Sequence, residues 1–199
     1  MRGAEAVVER CSLIGIPAVR KSRVAKKYRV GALDSMLRRT RTRSEARLLN
    51  RAKIAGVLCP TVLEVDEFSI VMTFIDGSRP EMDEKQAHEA GSILATLHKN
   101  DIIHGDFTPA NLIEVSGEKN KTNSLFVIDF GLGFVSNDIE DKATDVFTML
   151  RALKGKGKSS EKNKKSASDS FIDGYGKYEK SASVFERVKG IEKRVRYAF

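Results

Sequence analysis

Residues 104–111 and the strand that ends at Asp129 constrain the fold more than any other part of this sequence. Residues 104–111 read His-Gly-Asp-Phe-Thr-Pro-Ala-Asn. The stretch 102–111 follows neither a helical nor a strand period, which predicts a loop. Residues 125–128, Leu-Phe-Val-Ile, are apolar enough for a buried strand, and Asp129-Phe130-Gly131 follows directly at its end. The fold must therefore support a polar loop and a strand-terminal carboxylate within one small chain.

The chain around this loop predicts strands first and mainly helices afterwards. Upstream we expect two strands joined at Gly15, a helix with a break near residues 40–42, a two-stranded hairpin and a helix capped by Asp83, at residues 6–11, 17–22, 33–55, 61–65, 68–75 and 83–99. Downstream we expect two short strands and three helices, at residues 112–115, 125–128, 145–153, 168–176 and 181–196. Residues 154–168, rich in Lys, Gly and Ser, predict a mobile loop. This order predicts an α+β fold in a single domain of residues 1–199, with a strand-rich lobe over about 1–76 and a mostly helical lobe over about 77–199.

Charge is segregated along the 199 residues, whose formal net charge is +8. Residues 1–59 carry a net charge of +11, residues 60–150 carry −11, and residues 151–199 carry +8. Because basic regions attract polyanions, the two cationic ends favour a nucleic acid, a nucleotide or an acidic protein as partner. Two cysteines are too few for a disulfide framework, and neither a membrane span nor a secretory signal is present. These features predict an intracellular protein.

Asp106, Asn111 and Asp129 form a combination that phosphoryl transfer needs. A carboxylate on the loop can orient or deprotonate the accepting hydroxyl, and we assign that role to Asp106. Asn111 and Asp129 offer the hard oxygen ligands that Mg²⁺ prefers. An isolated Asp-Phe-Gly is a common turn, and His104 alone is typical of a structural residue. The full set in this order predicts a site that transfers phosphate from a nucleotide bound with Mg²⁺.

The sequence resembles the protein-kinase superfamily, in particular the small atypical kinases of the KEOPS complex (the PRPK family), which are relatives of the RIO kinases. Residues 3–6 match that family's opening motif, residues 18–21 its lysine-bearing strand and residues 38–47 its basic helix, and residues 104–111 and 129–132 complete the match. The resemblance covers essentially the whole chain. It implies a bilobal protein-kinase-like fold whose reduced helical lobe lacks a long activation segment.

By this resemblance ATP and Mg²⁺ are the cofactors, and further residues enter the site. Lys21, paired with Glu45, would contact the α- and β-phosphates, and both join Asp106 in the catalytic set. Asn111 and Asp129 would bind the metal. The resemblance assigns the nucleotide to the opening motif, the strand lysine and residues around the adenine, namely Gly3, Ala4, Glu5, Ala6, Lys21, Met72, Thr73, Ile75 and Ile113.

Two departures from ordinary kinases narrow the interpretation. The chain has no Gly-x-Gly-x-x-Gly, since Gly3 stands alone ahead of Ala4-Glu5-Ala6, and fewer glycines predict a stiffer lid over the phosphates. Only 68 residues follow Gly131, which leaves no room for a long activation loop with its Ala-Pro-Glu anchor. A signalling kinase controlled by loop phosphorylation is therefore disfavoured.

The resemblance also implies a biological role. It predicts an atypical ATP-dependent serine/threonine kinase or ATPase that serves the KEOPS complex in making threonylcarbamoyladenosine at position 37 of tRNA. The expected partners are KEOPS subunits, especially the threonylcarbamoyl-transferase subunit. We expect tRNA to contact the basic helix of the N-terminal lobe and the basic C-terminal tail at residues 192–197. The predicted location is the cytoplasm, with the nucleus added in a eukaryote, and no membrane is involved.

Three alternatives stay open at this point. A small-molecule phosphotransferase of the aminoglycoside or choline kinase type shares the His-Gly-Asp-x-x-x-x-Asn loop, but its acceptor pocket needs more helices than 68 basic-rich residues provide. A RIO-type ribosome-maturation kinase would bring an additional N-terminal domain, whereas this chain starts just ahead of its first predicted strand. A non-enzymatic scaffold would not need the complete set Lys21, Glu45, Asp106, Asn111 and Asp129.

Overall fold

A four-stranded antiparallel sheet forms most of the N-terminal lobe in the computed structural model, which describes residues 6–26, 28–117, 123–154 and 166–196. Its strands are β1 (Ala6–Leu13), β2 (Ile16–Arg23), β3 (Val62–Val65) and β4 (Ser69–Thr73), arranged in the order β1-β2-β4-β3. The β1–β2 hairpin turns at Ile14 and Gly15, whose φ angles of 51° and 77° are both positive, as a tight hairpin turn requires. Register pairs Lys21 with Val8 on one side and with Ile70 on the other. The predicted strands and the turn at Gly15 are confirmed.

Helix α1 (Gly31–Ile54) follows β2 and precedes β3 in the sequence, and it is continuous along its whole length. The break predicted near residues 40–42 is wrong. Thr42 is buried, and its hydroxyl donates to the Arg38 carbonyl at 2.8 Å, so this polar residue is accommodated within the helix. Arg38 pairs with Asp34 at 2.7 Å and stacks on the Phe68 ring at 3.9 Å. These contacts, rather than an apolar stripe, anchor the first half of the helix.

Helices dominate the second lobe. They are α2 (Glu84–Lys99), α3 (Ile139–Lys154), α4 (Ala167–Tyr175) and α5 (Ser181–Arg196). Asp83 caps α2 as predicted, since it accepts the Gln86 N–H while the Gln86 side chain accepts the Asp83 N–H. Helices α2 and α4 approach closely at Gly91 and Gly174, where an added Cβ would lie 2.2 Å and 2.0 Å from a backbone oxygen of the other helix.

Two small ladders set the loop of residues 104–111 beside the segment that follows residue 128. Strand β5 (Ile102–Ile103) pairs with β8 (Phe134–Val135), and β6 (Leu112–Val115) pairs with β7 (Ser124–Val127). A 3-10 turn at Pro109–Asn111 closes the loop. The sequence predicted β6 and β7 but no regular structure across residues 102–111, because a two-residue strand and one short turn leave no periodic signal.

One hydrophobic cluster runs from α1 and β4 through α2 to α5. Within this cluster the α2 residues Ala87, Ala90, Leu94 and Leu97 are fully buried, and Ile93 packs against it partly buried. Helix α3 begins at Ile139, earlier than predicted, and α4 and α5 lie where expected. The predicted mobile loop falls mainly on residues 155–165, and the predicted tail ends at residue 197; residues 155–165 and residue 197 lie outside the described residues. Within the described chain, no helix is both long and apolar enough to cross a membrane.

Candidate active site

Lys21 and Glu45 meet inside the N-terminal lobe. Lys21 lies on β2 with a side chain that is 9% exposed, and Glu45 lies on α1 with a side chain that is 1% exposed. The Lys21 Nζ donates to Glu45 Oε1 at 2.6 Å. The structure therefore brings together the predicted strand lysine and helix carboxylate as a buried ion pair.

The same carboxylate has a second cation that the sequence analysis missed. Arg23 lies two residues beyond Lys21 on β2, so both side chains leave the same face of the strand. Its Nη2 donates to Glu45 Oε2 at 2.6 Å, and it is also buried. Each oxygen of Glu45 thus has its own cationic partner. The signal that could have found Arg23 is its spacing of two from the predicted lysine.

Asp129 is the second carboxylate on Lys21. Its Oδ1 accepts from Lys21 Nζ at 2.7 Å and from the Gly131 N–H at 3.1 Å. Burial by itself would raise the pKa of Asp129, but the Lys21 charge and these hydrogen bonds outweigh it and hold the pKa below its ordinary value. The residue has a φ of 61°, a left-handed conformation that turns the chain away from β7 and that Asp tolerates better than most residues.

Asp106 and Asn111 are fixed to each other on the loop. The Asn111 Nδ2 donates to the Asp106 carbonyl at 2.8 Å and to Asp106 Oδ2 at 2.9 Å. The amide nitrogen of Asn111 is thereby directed at Asp106, which leaves its oxygen, Oδ1, for another ligand. The Asp106 side chain keeps Oδ1 for a reacting group. The spacing of five residues is closed by the 3-10 turn between them.

His104 is structural. The Asp106 N–H donates to its Nδ1 at 3.3 Å, so Nδ1 is an acceptor, and its Nε2–H donates to the Ile128 carbonyl at 3.1 Å. These bonds assign a neutral ring, and burial lowers its pKa in agreement. The ring packs between Phe107 and Phe130 and so joins the loop to the segment that carries Asp129.

Asp145 on α3 holds the start of the loop. It accepts the His104 N–H at 2.7 Å and the Gly105 N–H at 2.8 Å. His98 on α2 approaches it at 3.3 Å and contacts the Tyr175 hydroxyl at 2.7 Å with its other nitrogen. Asp145 lies inside α3 and braces the start of the loop with both carboxylate oxygens.

Gly105 allows the loop to touch the segment after Asp129. Its φ is +80°, and an added Cβ would lie 2.4 Å from the Leu132 carbonyl oxygen. Only glycine fits both the backbone conformation and this contact. The close approach sets the distance between the loop and the Asp129 turn.

The donor set fits a Mg²⁺–nucleotide better than a metal held by the protein alone. No group of three or more His, Cys, Asp or Glu residues that could hold a metal occurs among the described residues. Mg²⁺ in phosphate-transfer sites is bound by one or two protein oxygen ligands plus substrate phosphates. Asn111 Oδ1 and the Asp129 carboxylate are of that kind, and both described contacts of Asp129 use Oδ1 only.

The residues expected around the adenine lie at the end of β4 and on β6. Met72 is buried, and the N–H groups of Thr73 and Phe74 donate to Thr61 and Pro17 within the sheet region. Those two N–H groups are therefore already hydrogen-bonded, and among residues 73–75 the Ile75 N–H is the backbone donor left for the edge of the adenine. The Ile113 side chain packs against Gly77, since a Cβ added to Gly77 would lie 2.7 Å from Ile113 Cγ2. Ala6 is the buried first residue of β1, and Gly3, Ala4 and Glu5 lie outside the described residues.

This fold and site define a protein-kinase-like phosphotransferase. A family model described as the RIO domain matches residues 19–149, which is more than half of the chain. The chain belongs to the RIO-domain family of kinase-like proteins, in agreement with its resemblance to small atypical kinases related to the RIO kinases. The predicted α+β fold and enzyme class are confirmed with it, and ATP and Mg²⁺ are the cofactors of that class.

Individual relatives agree with this assignment. A protein of Archaeoglobus fulgidus named "Probable serine/threonine-protein kinase BUD32 homolog" is 40% identical over 179 residues, covering 89% of this chain and 87% of that protein. A protein of Methanobrevibacter smithii named "Probable bifunctional tRNA threonylcarbamoyladenosine biosynthesis protein" is 35% identical over 201 residues. The match covers 98% of this chain but only 36% of that longer relative.

A solved structure shares the fold at low sequence identity. The Rio2 kinase of Chaetomium thermophilum, solved as an ADP/Mg²⁺–phosphoaspartate complex, superposes with a TM-score of 0.67 and 17% identity. The superposition covers 98% of this chain and 70% of the Rio2 chain. It extends the likeness across both lobes.

Proposed function

We propose that this chain is an atypical ATP-dependent serine/threonine kinase and ATPase that acts in threonylcarbamoyladenosine modification of tRNA in the cytoplasm. Residues 1–199 would act as one kinase domain. The observation that carries the proposal is the Lys21 amine held between Glu45 and Asp129. The fixed pair Asp106 and Asn111 lies beside Asp129, because the N–H of the preceding Ile128 donates to the Asn111 carbonyl at 3.0 Å. Together they supply the cation, the loop carboxylate and the metal ligands that phosphoryl transfer requires.

Each residue has a separate task in this proposal. Lys21, held by Glu45, binds the α- and β-phosphates, and Asn111 with Asp129 holds Mg²⁺. When bound there, the ion would supply positive charge to offset the charge that develops on the phosphates. Asp106 accepts the proton of the attacking hydroxyl while that oxygen bonds to the γ-phosphorus and ADP leaves. Asn111 keeps the Asp106 carboxylate aimed through the contact at 2.9 Å.

The first experiment replaces the proposed base. Asp106→Asn should bind Mg-ATP within about threefold of the wild-type affinity, because the proposal gives Asp106 no phosphate or metal to hold. Turnover at saturating Mg-ATP should fall by about 10²- to 10⁴-fold, the usual contribution of a positioned base. Asp66→Asn, the same change at the exposed β3–β4 turn, should keep wild-type turnover. Wild-type turnover in Asp106→Asn contradicts the catalytic assignment.

The exposed face of α1 supports the tRNA part of the proposal. Four exposed arginines recur every four residues along it and so form a row about 18 Å long: Arg39, Arg43, Arg47 and Arg51. The two acidic residues of this helix, Asp34 and Glu45, are both buried. Glu67 pairs with Arg39, and Arg51 donates to the Asn100 carbonyl. A row of cations to which α1 itself adds no exposed acidic residue, with Glu67 opposite its first member, suits a phosphate backbone.

The named relatives connect the kinase to the modification. The bifunctional relatives carry a biosynthesis name for the same nucleoside, and this chain spans 36% of their length in the Methanobrevibacter smithii case. We therefore propose the threonylcarbamoyl-transferase subunit of KEOPS as the protein partner, with tRNA contacted by α1 and the C-terminal tail. Purification of the tagged chain from its native cell should recover both. Recovery of ribosomal precursors in their place would contradict this assignment and favour the RIO-type alternative.

The tRNA contact has its own test. Replacing Arg43 and Arg47 together with glutamine should weaken tRNA binding and reduce the slope of log affinity against log salt by about 1.4 to 1.8, because two phosphate contacts are lost. Arg151→Gln, an exposed arginine on α3, is the control and should leave the slope unchanged. An unchanged slope in the double variant would remove α1 from the proposed tRNA surface.

A further inference from the structure

Arg23 ties the end of β2 to the helix that carries Glu45. Its Nη2 donates to Glu45 Oε2 at 2.6 Å and lies 3.5 Å from the Arg41 carbonyl, also on α1. Its own backbone is held on both sides, since its N–H donates to Phe68 at 2.9 Å and its carbonyl accepts from Arg38 at 3.4 Å. The backbone of Arg23 is therefore held by hydrogen bonds that do not involve Glu45, so its side chain can fix the Glu45 carboxylate.

The Lys21 amine bonds to two carboxylates, although in the proposed nucleotide site one of them has to hold the metal instead. The amine bonds to both Glu45 and Asp129, at 2.6 Å and 2.7 Å. In the proposed function Asp129 holds the metal and Lys21 contacts phosphate, so the Lys21–Asp129 contact must open when Mg-ATP binds. Glu45 then becomes the one carboxylate that holds Lys21. When the nucleotide is bound, the orientation of Glu45 then depends on its contact with Arg23, because that contact does not change.

Charge and position agree with this role. Lys21, Arg23 and Glu45 together carry one net positive charge once Asp129 is engaged elsewhere, whereas Lys21 and Glu45 alone would carry none. Arg23 also borders the site itself. A Cβ added to Gly131 would lie 3.4 Å from Arg23 Nη2 and equally 3.4 Å from Lys21 Nζ. Both cations therefore lie against the turn that follows Asp129.

We propose that Arg23 is a positioning residue that fixes Glu45, so that Lys21 can exchange Asp129 for phosphate without losing its orientation. This inference rests on the proposed function. A positioning role for Arg23 differs from a purely structural role, because the loss of Arg23 should impair turnover in protein that is still folded. It also differs from direct phosphate binding by Arg23, because its effect should require Glu45.

The test is a double-mutant cycle in the full chain. Arg23→Gln should lower kcat for Mg-ATP turnover by about tenfold to a hundredfold, with KM changed by less than about threefold, since a misplaced lysine weakens the transition state more than ground-state binding. Arg23→Lys, which keeps the charge, should recover part of the loss. In a Glu45→Gln background, Arg23→Gln should change kcat by less than about twofold. Arg20→Gln on the other face of β2 is the matched control and should stay within about twofold of wild type.

Urea unfolding of the same proteins without nucleotide supplies a second readout. Arg23→Gln should be less stable than the Arg23→Gln, Glu45→Gln double variant, because the single change leaves a buried carboxylate with one cation. If Arg23→Gln does not fold, Arg23→Lys carries the kinetic test, with a loss of kcat that disappears in the Glu45→Gln background. Multiplicative kinetic effects at positions 23 and 45, or a wild-type kcat in Arg23→Gln, would overturn the proposal. Absence of Mg-ATP turnover in the wild-type chain would instead refute the proposed function, and the unfolding cycle would still report on the contact between Arg23 and Glu45.

Discussion

Asp145→Asn tests how the loop of residues 104–111 is held. In the wild type the carboxylate accepts two backbone N–H groups, one from His104 at 2.7 Å and one from Gly105 at 2.8 Å. An asparagine offers one acceptor oxygen, and its NH₂ group would face the other N–H. The substitution therefore breaks one charge-assisted hydrogen bond and leaves one buried donor without an acceptor.

The expected loss of unfolding free energy follows from those two effects. A hydrogen bond to a charged group contributes about 1.5–3 kcal/mol, and an unsatisfied buried donor costs about 1–3 kcal/mol. Because the two terms overlap, we expect a loss of about 3 kcal/mol. For a chain of this size that corresponds to a fall in Tm of about 6–12 °C. Turnover of Mg-ATP should fall at least about tenfold, since the loop that carries Asp106 begins at the braced residues.

Urea and thermal unfolding of the nucleotide-free protein measure the first effect, and steady-state turnover measures the second. Asp141→Asn makes the same chemical change one turn earlier in α3, where the only expected cost is up to about 1 kcal/mol from the helix dipole. A loss below about 1 kcal/mol in Asp145→Asn, together with wild-type turnover, would refute the argument that Asp145 braces the loop.

Two further predictions concern pH and the close approach at Gly105. Burial lowers the pKa of His98 and of His104 below the ordinary value of 6.5, so the unfolded chain binds more protons than the folded one below that pH. Their contribution to stability is complete above about pH 6.5 and is lost as the pH falls, with a slope of up to about 1.4 kcal/mol per pH unit for each histidine. His104→Gln should reduce the slope measured by urea unfolding between pH 6.5 and 5.5, and a flat wild-type profile would contradict the assignment of neutral rings. Gly105→Ala should lose about 2 kcal/mol or more, because its Cβ would lie 2.4 Å from the Leu132 carbonyl oxygen at a φ of +80°. Gly190→Ala, in α5 with open space around it, should gain up to about 1 kcal/mol, and equal urea midpoints for the two variants would show that the contact is unimportant.

The sequence allowed the outline of the site to be predicted because its residues are tied to short, ordered motifs. Asp106 and Asn111 lie on one loop, and Asp129 ends a strand, so chain order alone restricts where they can meet. Lys21 and Glu45 required the family resemblance, since their pairing spans a strand and a helix. The structure joins Lys21 to Glu45 and to Asp129. It also joins Asn111 to Asp106 and to the Ile128 N–H that precedes Asp129.

What could not be predicted depends on tertiary register. Arg23 reaches Glu45 only because every second side chain of β2 faces α1 and because the strand is aligned with the helix so that Arg23 lies beside Glu45. The break expected in α1 was wrong because Thr42 satisfies its hydroxyl within the helix, which periodicity does not reveal. The contact between Lys21 and Asp129 joins residues 108 positions apart and follows from the packing of the two lobes.

Calorimetric titration of a non-hydrolysable ATP analogue, with and without Mg²⁺, measures whether Asp129 and Asn111 help to hold a metal-bound nucleotide. Binding to the wild-type chain should strengthen at least about tenfold with Mg²⁺, because Asn111 and Asp129 add metal contacts to those of Lys21. In Asp129→Asn most of that Mg²⁺ dependence should disappear, while the fold measured by urea unfolding is retained. Equal Mg²⁺ dependence in the two proteins, or no binding by the folded wild-type chain, would contradict the proposal that Lys21, Asn111 and Asp129 form a Mg-ATP site.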